Sequence, residues 1–146
     1  MRKYQTGKYK PIHPEKYEGD PTEITWRSSW EFKFMRWCDH NPNILKWGSE
    51  TIVIPYICKT DNRPHRYFTD FVIKVRTKDG RLKTYIVEVK PKKQTMPPAK
   101  PKRKTKYYLE EVMTYAKNVS KWSAAEQYCK DRGYEFKIIT EDDLGI

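Results

Sequence analysis

Hydrophobic and polar positions change period several times along the chain. Trp30, Phe34, Trp37 and Cys38 recur at helical spacing, predicting a helix that starts near Ser28 or Ser29. Asn41-Pro42 closes it, because Pro42 disfavours a helical conformation at Asn41. Short extended runs follow at Ile44–Trp47 and Thr51–Ile54, joined across Gly48-Ser49, with Pro55 near the end of the second. Asp61-Asn62-Arg63-Pro64 is a turn signal. Two strands rich in β-branched and aromatic residues come next, about Tyr67–Thr77 and Arg81–Lys90, linked by Lys78-Asp79-Gly80. From about Lys106 to Lys117, Leu109, Val112, Met113 and Ala116 share one helical side. Ser120 or Ser123 is placed to cap a further helix that stops at Gly133, and Tyr134–Thr140 reads as a last strand. The order predicts an α/β chain, a mixed β-sheet flanked by helices.

Two stretches lack a steady period. Residues 1–25, rich in Pro, Lys, Tyr and Gly, predict an irregular arm before a single domain over 26–146. Residues 91–106 form a Pro/Lys linker too polar and too broken by proline for a core element. At 146 residues the chain suits one domain with one proper core.

Composition changes the picture mainly through charge. The formal net charge of +11 points to a polyanionic partner, most often nucleic acid. No stretch approaches the roughly 20 apolar residues of a membrane span, and Met1 to Gly7 lacks the apolar core of a secretory signal. Cys38, Cys58 and Cys129 are widely spaced and form no Cys-x-x-Cys pair, which favours three reduced, buried thiols.

Side-chain parity then isolates a chemical centre. Glu88 and Lys90 share one strand face with Leu82, Thr84 and Ile86. On its own such a pair is a simple ion pair. The partner strand carries Asp70 amid Tyr67, Phe68, Phe71, Val72 and Ile73, where an unpartnered carboxylate is costly. A two-residue loop at Asp79-Gly80 would place Asp70 opposite Val89. A three-residue loop, Lys78-Asp79-Gly80, pairs Thr77 with Arg81 and places Asp70 opposite Glu88. The second is predicted, because Gly80 stands at the left-handed position of that turn. Opposed carboxylates repel and persist most readily around a hard cation such as Mg²⁺, with Mn²⁺ as a substitute. Lys90 beside them is suited to orient water or to stabilise phosphate charge. Together these parts suit phosphodiester hydrolysis. Glu31, on a helix side shared with Met35 and Cys38, reads locally as the end of a Ser28-x-x-Glu31 capping box, slightly ahead of a role as a third acid.

Asp70, followed after a hairpin by Glu88-Val89-Lys90, resembles the PD-(D/E)xK nuclease pattern. The flanking runs Arg66–Phe71 and Tyr85–Pro91 strengthen the likeness, with Thr69 in place of the usual proline. Over roughly residues 26–140 the chain is similar to the TnsA-type branch and, closer still, to the head completion nucleases of T4-like tailed phages. The resemblance implies a restriction-endonuclease-like core. It implies Asp70, Glu88, the Val89 carbonyl and Glu31 around a metal ion, with Lys90 as the catalytic lysine, and so raises Glu31 above its capping reading. It also implies a magnesium-dependent endodeoxyribonuclease that acts on DNA ends before head–tail joining. Phage head or portal proteins would be partners, and the site of action would be the host cytoplasm or the virion.

Lys92, Lys93, Lys102, Arg103 and Lys104 directly follow the proposed centre, so contact with DNA phosphates is favoured over a solvated run. Tyr107, Tyr108 and Tyr115 are stacking candidates whose helical spacing suits packing better, and Trp122 reads as a core anchor. Gln94 reads as a solvated loop residue, and His13, His40 and His65 form no ligand pair. Two rival functions remain on the sequence: a non-catalytic module that grips DNA ends or a portal, and a transposase-type cleavage subunit that needs a partner.

Overall fold

The structure is a computed structural model that describes residues 5–145. The first four residues of the expected arm lie outside that range. Helix α1 (Ser29–His40) starts where Ser28, in extended conformation, accepts a hydrogen bond from the Glu31 amide. Its buried face is Phe34, Met35, Cys38 and Asp39. Trp37 is not part of it, being 47% exposed, so the apolar stripe is rotated relative to the expected one.

The central sheet holds β3 (Ile44–Ser49), β6 (Phe71–Arg76), β7 (Leu82–Val89) and β8 (Glu135–Ile139), in that order. The first three are antiparallel and β8 joins β7 in parallel, so the sheet is mixed as expected. Central strands β6 and β7 are covered on both faces, and Phe71-Val72-Ile73 and Ile86-Val87-Glu88 are continuously buried. On one face lie α1 and the cluster of Phe34, Met35, Trp47, Phe71 and Val87; on the other, Ile86 joins Ile54, Tyr67, Trp122 and Ala125.

Three expectations about elements are corrected. The run Tyr67–Thr77 is not one strand. It divides into β5 (Arg63–Phe68) and β6, because buried Thr69 turns aside to bond the Ile52 carbonyl through its amide and its hydroxyl. The two short strands do not pair across Gly48-Ser49. Instead β3 joins β6, and β4 (Val53–Cys58) joins β5 in a separate two-stranded hairpin whose turn precedes Arg63. Pro55 and Pro64 sit inside this hairpin, where a two-stranded ribbon tolerates a missing donor. Lastly, the two helices expected between Lys106 and Arg132 are one, α2 (Lys106–Arg132). Ser120 caps nothing there; its hydroxyl donates to the Ala116 carbonyl and accepts from the Lys59 amide, so the helix runs through it. Gly133, in the left-handed conformation, ends α2 as expected.

The N-terminal segment carries short strands β1 (Gly7–Lys8) and β2 (Thr25–Trp26), a 3₁₀ turn at Pro14–Lys16, and buried Tyr9 and Ile24. Its anchor is buried Asp39, which accepts from the Tyr9 hydroxyl at 2.7 Å and from the amides of Ile12 and His13. Burial alone would raise that carboxyl; these three donors outweigh burial and hold it below its ordinary range. Lys16 Nζ completes the junction by donating to the carbonyls of Cys38, Asp39 and Asn41 at the α1 C-terminus. Residues 91–105 contain one 3₁₀ turn, Lys92–Thr95, before α2. A last short helix, α3 (Glu141–Leu144), is capped by Thr140.

Candidate active site

The hairpin expected to align two acids forms in the expected register. Phe71 pairs with Val87 and Arg76 with Leu82. The Thr77 amide donates to Arg81 O at 2.8 Å, and the Gly80 amide to Thr77 O. Gly80 has φ of +81°, which makes Lys78-Asp79-Gly80 the three-residue loop. Extending this ladder by one pair sets Asp70 across from Glu88, where β6 has just left the β5 hairpin.

Asp70 Oδ2 accepts from the Val89 amide at 2.8 Å. Glu88 is buried; its Oε2 accepts from the Tyr67 hydroxyl at 2.6 Å, and its Oε1 lies 3.7 Å from Lys90 Nζ. Burial, followed by the charge of Glu88, pushes the Asp70 carboxyl up to about 8. Burial also raises Glu31, and Glu50 and Glu88 add to the rise. Glu31, Asp70 and Glu88 therefore lie within electrostatic range of one another. The capping reading of Glu31 is only half realised: Ser28 caps its amide, but Glu31 Oε1 takes a long, 3.4 Å bond from the Arg27 amide.

Two members of this cluster were not singled out in the sequence. Tyr67 sits on a different sheet from Glu88, and only the fold brings the hydroxyl to the carboxylate. Burial, then the Glu88 charge, drives that phenol far above its ordinary range, so it stays a donor. Glu50 holds a left-handed backbone with φ of +54°, donates its amide to Asp70 O at 3.0 Å, and is ion-paired to Arg27 at 2.7 Å. A left-handed non-glycine residue was the available clue, but it is a backbone property that residue types do not display.

The donor set suits a hard divalent cation. All the side-chain ligand atoms are oxygens, but among the described residues the Glu31, Asp70 and Glu88 carboxylates do not all converge to within 4.8 Å of one another, so an ion would have to draw them together.

Of the basic candidates, Lys92 is tied back to α3: its amide donates to Glu141 Oε1 and its Nζ lies 3.1 Å from Asp142. Lys93, Lys102, Arg103 and Lys104 are exposed. A groove of about 500 Å³ runs between the linker and α2, lined by Lys93, Gln94, Met96, Tyr107 and Tyr115 among others. Tyr107 is 70% exposed, Tyr108 is half-buried, and Trp122 is buried in the core. His13, His40 and His65 are all exposed, and Cys38, Cys58 and Cys129 are free and buried. No helix among the described residues is long and apolar enough to cross a membrane.

Residues 41–141 match the family described as TnsA-like endonuclease N terminal. The chain belongs to that family. This TnsA-like endonuclease is also 44% identical over 143 residues to a head completion nuclease of Enterobacteria phage T4, across 95% of this chain and 93% of the relative. The mixed sheet with its flanking helices is accordingly a restriction-endonuclease-like fold, and DNA is the substrate. A divalent metal is the family's expected cofactor.

Proposed function

We propose that this TnsA-like endonuclease is a magnesium-dependent phosphodiesterase that processes DNA ends during phage head completion, before the head joins a tail. The observation that carries the reading is the raised, Glu88-facing carboxyl of Asp70 at the end of the β6–β7 ladder. It acts in the host cytoplasm during assembly, against phage head or portal proteins. This placement rests on likeness to the phage relative.

Asp70, Glu88, the Val89 carbonyl and Glu31 would hold the ion. When bound, it supplies Lewis acidity toward a phosphodiester and toward water. The chain's own groups prepare the rest. Val89 N–H fixes Asp70 Oδ2, leaving Oδ1 without a protein donor among the described residues. Tyr67 holds Glu88 Oε2 in the same way, so Oε1 faces Lys90. The Lys90 ammonium is positioned to orient a water molecule or to offset charge on a phosphate oxygen. Lys93, Lys102, Arg103 and Lys104 follow in the chain and would draw the backbone of DNA to the site.

Plasmid nicking with Mg²⁺, Mn²⁺ or EDTA tests the reading. The wild-type chain is expected to nick with either ion and not with EDTA. Asp70→Ala and Glu88→Ala are each expected to lose at least about a hundredfold in rate. Undiminished nicking by both variants overturns the proposal, and tight DNA binding by a wild type that never nicks would favour the non-catalytic module instead.

A further inference from the structure

The closed end of the β4–β5 hairpin gathers a second set of ligand-type side chains. Cys58 ends β4, Asp61 lies in the turn, and His65 is the third residue of β5. One ligand atom from each lies within 4.8 Å of the other two. Left-handed Asn62 folds the turn back, its amide donating to Cys58 O at 2.7 Å. His65 Nε2 and Asp61 Oδ2 are 2.8 Å apart, Cys58 Sγ lies 3.1 Å from Thr60 Oγ1, and the Tyr56 ring packs on the imidazole.

We propose that Cys58, Asp61 and His65 form a zinc-class site separate from the acidic cluster; ion binding there stands on this geometry alone, while its role toward Tyr67 rests on the nuclease reading. Thiolate, imidazole and carboxylate make a borderline-soft donor set, which suits Zn²⁺ and not Mg²⁺, whose ligands are oxygens. Binding releases the Cys58 proton to solvent. The thiolate and the carboxylate then neutralise the divalent charge while His65 binds as the neutral imidazole. Asp61 and His65 are about 40% exposed while Cys58 is 1% exposed, so an ion would enter from the Asp61–His65 side, which is also where water would complete its coordination.

The site gains a purpose from where the hairpin leads. The β4–β5 ribbon has no strand neighbour, so its place depends on packing against α2 through Trp122, Ala125 and Cys129. Cys58 and Tyr67 belong to the same packed cluster, and Tyr67 lies near the far end of β5, holding Glu88. A cation at the closed end would fix the strand that delivers this hydroxyl. With three protein ligands and water in the fourth position the ion would act as a brace, holding Tyr67, a positioning residue of the other centre.

The full chain, stripped with chelator and titrated with Zn²⁺ or Co²⁺, tests this. Retained zinc is read by elemental analysis after desalting, and cobalt by its thiolate charge-transfer absorption. One zinc per chain and a cobalt–thiolate band are expected, both preserved in the Asp70→Asn/Glu88→Gln double variant. His65→Ala and Cys58→Ser should each weaken zinc binding by more than about tenfold. Cys58 is buried, so His65→Ala, at an exposed position, decides the matter if Cys58→Ser does not fold. Absence of retained zinc and of the cobalt–thiolate band in the wild type overturns the site. So does zinc binding that survives His65→Ala but is lost in the Asp70/Glu88 variant, which would assign the ion to the carboxylates.

Discussion

Tyr67 settles which oxygen of Glu88 remains available for other work. Its hydroxyl occupies Oε2 and leaves Oε1 toward Lys90. Tyr67→Phe keeps the ring and its packing but frees the carboxylate to rotate. The expected outcome is a roughly tenfold loss of nicking rate, together with a loss of about 1–3 kcal/mol in denaturant unfolding because the buried Glu88 oxygen is left without its donor. Asp70 supports a prediction about pH. Its native carboxyl titrates at about 8, against about 4 in an unfolded chain. Between those values the native state binds the additional proton, so raising the pH favours the unfolded state. Metal-free protein should therefore lose melting temperature from about pH 5 to about pH 8, and Asp70→Asn should flatten that decline. Asp39 does not mask the effect, since its lowered carboxyl acts below about pH 4. Unchanged stability across the window in the wild type would contradict the burial argument. At this scale Asp70, Glu88 and Lys90 were legible in the sequence, because strand parity and one turn relate them. Tyr67 and Glu50 were not, because one reaches the cluster from another sheet and the other through an unusual backbone angle.

At the scale of elements, the turn at Gly80 carries the most consequence. A one-residue change in loop length would move Asp70 to face Val89. Nothing lies within 4 Å of where a Cβ on Gly80 would stand, so an alanine there meets no clash and bears only the cost of its positive φ. Gly80→Ala should cost about 1 kcal/mol in denaturant unfolding. This loop was readable because glycine supplies the left-handed position that the turn demands. The division between β5 and β6 was not, since Tyr67–Thr77 has uninterrupted strand character and only the Ile52 carbonyl, fixed by tertiary packing, draws Thr69 aside. Helix α2 misled for a related reason. Serine competes for backbone groups and often starts helices, yet Ser120 satisfies its hydroxyl one turn back and toward Lys59.

Across the whole molecule, the excess of positive charge becomes a testable statement about DNA. Replacing Lys102, Arg103 and Lys104 together with alanine should leave folding intact and weaken binding to duplexes of any sequence. The slope of log affinity against log salt should fall by about 0.9 for each phosphate that these side chains no longer neutralise. An unchanged slope in fluorescence anisotropy titrations would remove this loop from the DNA interface. The mixed sheet was legible as a whole, because the alternation of helical and strand periods survives errors in single boundaries. The N-terminal segment was harder to read, since Tyr9 and Ile24 are isolated apolar residues, and Tyr9 is held by Asp39 and by the rings of Phe32 and Trp47, all distant in sequence.

The parallel pairing of β8 with β7 bears on synthesis. Glu88 pairs with Ile138, Val89 with Ile139, and the Lys90 amide donates to Ile139 O at 2.9 Å. The strand edge beside the acidic cluster is therefore filled by residues translated late, after the whole length of α2. Before β8 is made, the edge of Glu88–Lys90 that faces away from β6 has no strand partner. The cluster completes its frame only once residue 139 has emerged, so the order of translation itself delays assembly of the acidic cluster until α2 exists.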